Sequence, residues 1–110
     1  MLIGADQNLQ SAWCKSQVVS AKRTQLSSLL VVSKSATDYW LELYDHASAA
    51  TGEPLELPLS GGSIVSLAWA PGKQFVNGVF VRAVDAQGGT LIGTDDIKVT
   101  AEFADNAIRT

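Results

Sequence analysis

Apolar and polar side chains alternate along this chain in short runs separated by turn residues, most clearly in Tyr39-Trp40-Leu41-Glu42-Leu43-Tyr44-Asp45. Successive side chains of a strand point to opposite faces, so Tyr39, Leu41 and Leu43 share one face. Trp40, Glu42 and Tyr44 share the other, which is half polar and half aromatic and suits a surface that touches something. Further runs predict strands at residues 25–33, 56–59, 64–69, 76–84, 90–92 and 97–103, with a first strand within 16–21. In the 25–33 run, Leu26, Ser28, Leu30 and Val32 alternate against Ser27, Leu29 and Val31. Pro58 confines its strand to an edge or a strand end. Gly61-Gly62, Pro71-Gly72 and Gln87-Gly88-Gly89 mark turns, and Gly78 marks a bulge or a close backbone approach.

About seven or eight short strands at near-regular spacing, with no long helical period, are the signature of an all-β sandwich or barrel. The expected fold is a single antiparallel β-sandwich, jelly-roll or immunoglobulin-like, over residues 23–110. Residues 1–22 read as a separate leader. It is either a short helix capped by Asp6 and running to Lys15, with Leu9 and Trp13 on one face, or an extended arm lying on the body or a neighbour.

Composition narrows the class. A chain of 110 residues forms one domain. Its 17% charged residues fall below the usual ~25%, and serine, threonine, glycine and alanine fill the difference. The net charge of −3 is unevenly spread. Residues 1–37 carry Lys15, Lys22, Arg23 and Lys34 against Asp6 alone, while residues 38–110 carry Lys73, Arg82, Lys98 and Arg109 against all the other acids. An acidic body without a concentrated basic patch argues against nucleic acid as a partner. A single cysteine, Cys14, allows neither an internal disulfide nor a cysteine zinc site, in keeping with assembly in a reducing cytoplasm. No stretch has the ~20 apolar residues that span a bilayer as a helix, so no membrane partner is expected.

Reactive chemistry finds little support. The sole histidine, His46, follows Asp45 in a loop and has no nucleophile in its pattern. Asp95-Asp96 beside Thr94 could offer oxygens to a hard cation, but no Asp-x-Asp-x-Asp-Gly frame is present, and Asx turn formation explains the pair more simply. Glu42 and Glu102 would serve as a glycosidase pair only if the fold faced them together. No glycine-rich phosphate loop occurs. The chain is therefore expected not to be an enzyme and to carry no cofactor and no metal. Aromatics remain: Trp13, Trp40 and Tyr44, with Glu42, are the candidate interface residues, and Trp69 is expected in the core.

The run from Val18-Val19 through Lys34-Ser35-Ala36-Thr37-Asp38-Tyr39-Trp40-Leu41-Glu42-Leu43-Tyr44-Asp45, the alanine-rich loop 47–50, and Phe75-Val76-Asn77-Gly78-Val79-Phe80-Val81 together resemble a group of small tailed-bacteriophage virion proteins. Members of that group share a strand ending in Leu-Phe/Tyr-Asp, an alanine-rich loop, a central apolar strand and a Phe-x-x-Gly-hydrophobic run. The resemblance covers roughly residues 18–103 and departs from the group at Trp40 and at the Asp95-Asp96 loop. It implies a β-sandwich structural subunit of a virion, made in the host cytoplasm. The simplest form is a capsid decoration or cement protein that contacts the major capsid protein or other virion proteins. It would act as a homo-oligomer or in many copies, and the resemblance carries over no catalytic residue. A carbohydrate- or receptor-binding sandwich module using Trp40 and Tyr44 as a stacking platform, or a tail or head–tail component, are the alternatives.

Overall fold

The alternation written in the sequence becomes β-strand throughout the computed structural model, which describes residues 7–104. The strands are β1 (Gln7–Gln10), β2 (Ser16–Ser20), β3 (Thr24–Ser33), β4 (Tyr39–Tyr44), β5 (Leu55–Leu59), β6 (Ile64–Phe75), β7 (Val79–Val84) and β8 (Ile97–Ala104). They form two four-stranded antiparallel sheets, the first in the order β1-β8-β3-β6 and the second in the order β2-β7-β4-β5.

The pairing is nested. β1 pairs with β8, β2 with β7, β3 with β6 and β4 with β5. The chain is thus a long antiparallel ribbon doubled at the β4–β5 connection and wound into two sheets, with β3–β8 and β4–β7 pairings closing each one. That is jelly-roll connectivity rather than the immunoglobulin-like order. Because it pairs strands far apart in sequence, the two ends of the described chain, β1 and β8, pair with each other in the first sheet.

Between the sheets lie Leu26, Leu29 and Val31 of β3, Leu41 and Leu43 of β4, Val79 and Val81 of β7, and Ile97, Val99 and Phe103 of β8. Each fully covered aliphatic side chain contributes about 1.5–3 kcal/mol relative to exposure. Tyr39 also packs against this core and sends its hydroxyl out of it, where Oη donates to Asp96 Oδ2 at 2.8 Å. That bond ties β4 in one sheet to the residue preceding β8 in the other.

Four expectations change. The leader is not the expected helix: residues 7–10 lie extended on the body as β1, an edge of one sheet, and the strand expected within 16–21 is β2, an edge of the other, so the leader is part of the sandwich rather than separate from it. Asp6, the expected cap, lies outside the described residues. In β3, Leu26 faces inward together with Leu29 and Val31, because a bulge at Ser27 shifts the alternation by one residue. Pro71-Gly72 does not turn the chain. β6 runs through it, with residues 69–72 bulging opposite Ser27 and with a cis Ala70–Pro71 bond, as an edge strand permits. Residues 90–92 make a single bridge, Val84 to Leu91, rather than a strand.

Candidate contact face

β4 is the second-last strand of its sheet, so its outward residues sit between those of β7 and β5. Register sets Trp40 between Val84 and Pro58, Glu42 between Arg82 and Glu56, and Tyr44 beside Phe80. With Leu41 and Leu43 committed to the core, Trp40, Glu42 and Tyr44 form the outward row, as the alternation requires.

That row is more closed than its position suggests. Glu42 is 2% exposed and Tyr44 5%. Arg82 Nε donates to Glu42 Oε1 at 2.6 Å, and Tyr44 Oη donates to the same oxygen at 2.8 Å. The guanidinium also lies over the Tyr44 ring, 5.6 Å from its centroid, and Tyr44 packs in turn against Phe80. The charges follow from this geometry. Burial first, then the hydrogen bond to Glu42 and its charge, push the Tyr44 phenol above its ordinary value. Burial opposes the Arg82 charge, but the hydrogen bond and the field of Glu42 outweigh it and raise that group further. Glu42, Tyr44 and Arg82 therefore satisfy one another, and Glu42 and Tyr44 are covered by their own chain. Trp40, Phe80 and Arg82 remain half-buried and reachable from outside.

Trp13 does not join them. It belongs to the segment that follows β1, where Cys14 bridges Ile97 at the start of β8 in the other sheet. Its ring carries two ammonium groups, Lys34 Nζ at 4.7 Å and Lys98 Nζ at 4.9 Å from the centroid. The four expected interface residues thus divide into a row of three and a separate aromatic–lysine cluster. Sequence reasoning missed Arg82, Phe80, Lys34 and Lys98, because each acquires its neighbour through strand pairing across tens of residues.

The other sequence candidates have local work. His46 Nδ1 accepts the amides of Ser48 and Ala49 and closes its loop. Asp96 Oδ2 accepts from Thr94 and Tyr39, and these bonds, with the Lys34 charge, hold its carboxyl below the ordinary carboxylate range. Asp95 is exposed, and no group of three or more potential metal ligands occurs among the described residues. Glu102 faces outward from the first sheet and accepts Ser28 Oγ at 3.2 Å, so it lies on the opposite side of the sandwich from Glu42. Trp69 is half-buried against the core. A cavity of about 290 Å³ opens beside Leu43, Asp45, Glu53 and Lys73, but Asp45 already accepts the amides of Val76 and Asn77.

Compared with known proteins, the chain matches no family model, no curated protein and no solved structure.

Proposed function

We propose that this chain is a structural subunit that works by protein–protein contact, and that its assembly is the virion of a tailed bacteriophage, where it serves as a capsid decoration or cement protein. The observation that carries the contact reading is the outward face of β4 and β7. Its ionisable groups close on one another, while Trp40, Phe80 and the Arg82 guanidinium stay reachable. Aromatic and arginine side chains of that kind dominate the energetics of protein interfaces. Support for the virion comes from the resemblance over residues 18–103, and the jelly roll is an architecture that viral capsid domains use. Fold alone does not choose among functions.

The test is direct. Virions purified from an infected host should contain this chain by mass spectrometry, in hundreds of copies for a decoration protein and in a handful for a tail or head–tail component. Trp40→Ala should leave the sandwich folded and reduce its binding to empty shells. Absence from the particles, together with glycan binding that Trp40→Ala abolishes, would overturn the proposal in favour of a carbohydrate-binding module. The jelly roll is also used by lectin domains.

A further inference from the structure

The four edge strands of the sandwich are not equally protected. Among the described residues β1 spans four, Gln7–Gln10. β2 has five residues and a register break between Val18 and Ser20. β5 carries Glu56 and Pro58 in its five residues. Short length, bulges, charge and proline are the devices that stop an edge from recruiting another strand. β6 is different. It pairs with β3 on one side, and among the described residues no strand pairs with its other side. Its proline and lysine, Pro71 and Lys73, lie in the second half, whereas residues 64–69 (Ile-Val-Ser-Leu-Ala-Trp) hold no charge and no proline and keep regular register with β3 from Ile64 to Ala68.

The side chains of this stretch are also incompletely covered. Ile64, on the outer face, is 61% exposed. Val65, Leu67 and Trp69 point toward the core yet stay half-buried. Leu55 and Leu57 do the same from β5, which the short turn 60–63 joins to β6, and Leu55 is 40% exposed. The free backbone edge therefore runs beside a strip of apolar surface left open between the sheets.

We infer that residues 64–69 of β6 form a homodimer interface, in which β6 of a second copy adds antiparallel to this edge and joins the two first sheets into one. A row of amides and carbonyls left to water along an unprotected edge is a ready template for another strand. The occupant is a second copy because the stretch is self-complementary. A two-fold axis normal to the sheet keeps outer residues on the outer face, so a register centred on Leu67 sets Ser66 against Ala68 of the partner subunit and Val65 against Trp69 of the partner subunit. The chain carries a net charge of −3, and residues 64–69 contribute none of it. This edge brings no charge opposite a like charge. The inference stands on the edge geometry and not on the virion reading, and it is read out as mass in solution rather than as presence in a particle.

Sedimentation equilibrium of the full chain tests it, with a dimer of twice the 11.6 kDa chain expected. Amide exchange should show protection at successive amides of residues 64–69, rather than the every-other-residue protection of a free edge. The double substitution Ser66→Lys, Ala68→Lys, at two exposed positions, should abolish the dimer through like charges set opposite one another, with an unchanged far-ultraviolet circular dichroism spectrum. Asn8→Lys on β1 should leave the dimer intact. A monomeric wild-type chain with alternating protection along β6 would overturn the inference. So would a dimer indifferent to the paired lysines, and so would protection that appears only when a different protein is added.

Discussion

Arg82 Nε and Glu42 Oε1 lie 2.6 Å apart on the outward side of the second sheet, brought opposite each other by the register of β4 and β7. The two ends of this pair differ in their access to water: the Glu42 side chain is 3% exposed and that of Arg82 is 23%. A carboxylate that is almost fully covered depends on its partner, whereas the guanidinium keeps part of its hydration. The pair therefore sets the shape of the face that Trp40 and Phe80 flank, and it does so asymmetrically.

That asymmetry gives a measurable order of stabilities. Arg82→Leu strands a buried carboxylate and should lower unfolding free energy by about 2–4 kcal/mol. Glu42→Leu leaves a guanidinium that can rehydrate and should cost about 1–2 kcal/mol. The double substitution removes both charges but leaves the buried Tyr44 hydroxyl without its acceptor, so it should cost about 1–2 kcal/mol, well below the sum of the single losses. Urea unfolding of the four proteins measures the cycle. Additive losses would show that the pair contributes no coupling.

Gly78 closes the approach to β7 with φ +138°, a region that side chains rarely enter. A Cβ there would stand 2.6 Å from the Ser20 carbonyl oxygen and 2.9 Å from the Ala47 Cα, both backbone atoms that cannot swing away. Gly78→Ala should therefore destabilise by about 2 kcal/mol or more. Gly52 also has a positive φ but has no neighbour that a Cβ would meet. Gly52→Ala should cost less, and thermal melts of the two variants would separate strain from clash.

The Tyr39–Asp96 bond joins the sheets at one end of the sandwich, and its loss can be isolated because the Tyr39 ring stays packed. Tyr39→Phe should reduce stability by about 1 kcal/mol. Amide exchange at residues 94–97 should rise more than exchange in the β3–β8 centre, since Asp96 would keep only Thr94 as its side-chain donor. Uniform acceleration across all strands would mean that the bond anchors the whole fold rather than this end.

Much of this architecture is legible as alternation. The outward row of Trp40, Glu42 and Tyr44, the inward Leu41 and Leu43, and the close approach at Gly78 all follow from period two or from glycine chemistry. What escapes are features that depend on a neighbour distant in sequence. The bulge at Ser27 moves Leu26 to the core face, yet nothing local distinguishes Ser27 from Ser28. Pro71-Gly72 has the chemistry of a turn and becomes an edge bulge, with the Pro71 carbonyl accepting from Gln25 Nε2. Residues 7–10 are polar and have weak strand propensity of their own, and only the open edge of β8 recruits them, whereas β2 falls where the alternation within 16–21 expects a strand. Glu42 carries the pattern of a surface residue, and its burial appears only once β7 delivers Arg82.

Acid should act on the turn between residues 85 and 90 and on the Asp96 knot. Asp85 accepts the Thr90 amide at 2.9 Å and the Thr90 hydroxyl at 3.0 Å, and these bonds hold its carboxyl below the ordinary value of 3.8. Asp96 is lowered in the same direction by Thr94, then by Tyr39 and the nearby Lys34 charge. A carboxyl whose folded value is depressed binds its proton more readily in the unfolded chain. Its stabilisation is therefore complete above the ordinary carboxylate range and is lost as pH falls from about 3.8 through the lower folded value. Melting temperature should hold steady from neutral pH to about 5 and then fall toward pH 2. Asp85→Asn and Asp96→Asn should each start lower at neutral pH and lose less on acidification, converging on the wild type at the acid end. Asp85 is exposed and Asp96 half-buried, and added salt should weaken the Lys34 contribution at Asp96 and leave the hydrogen-bonded Asp85 turn nearly unchanged. Parallel acid limbs for wild type and both variants would place the acid sensitivity in other carboxylates.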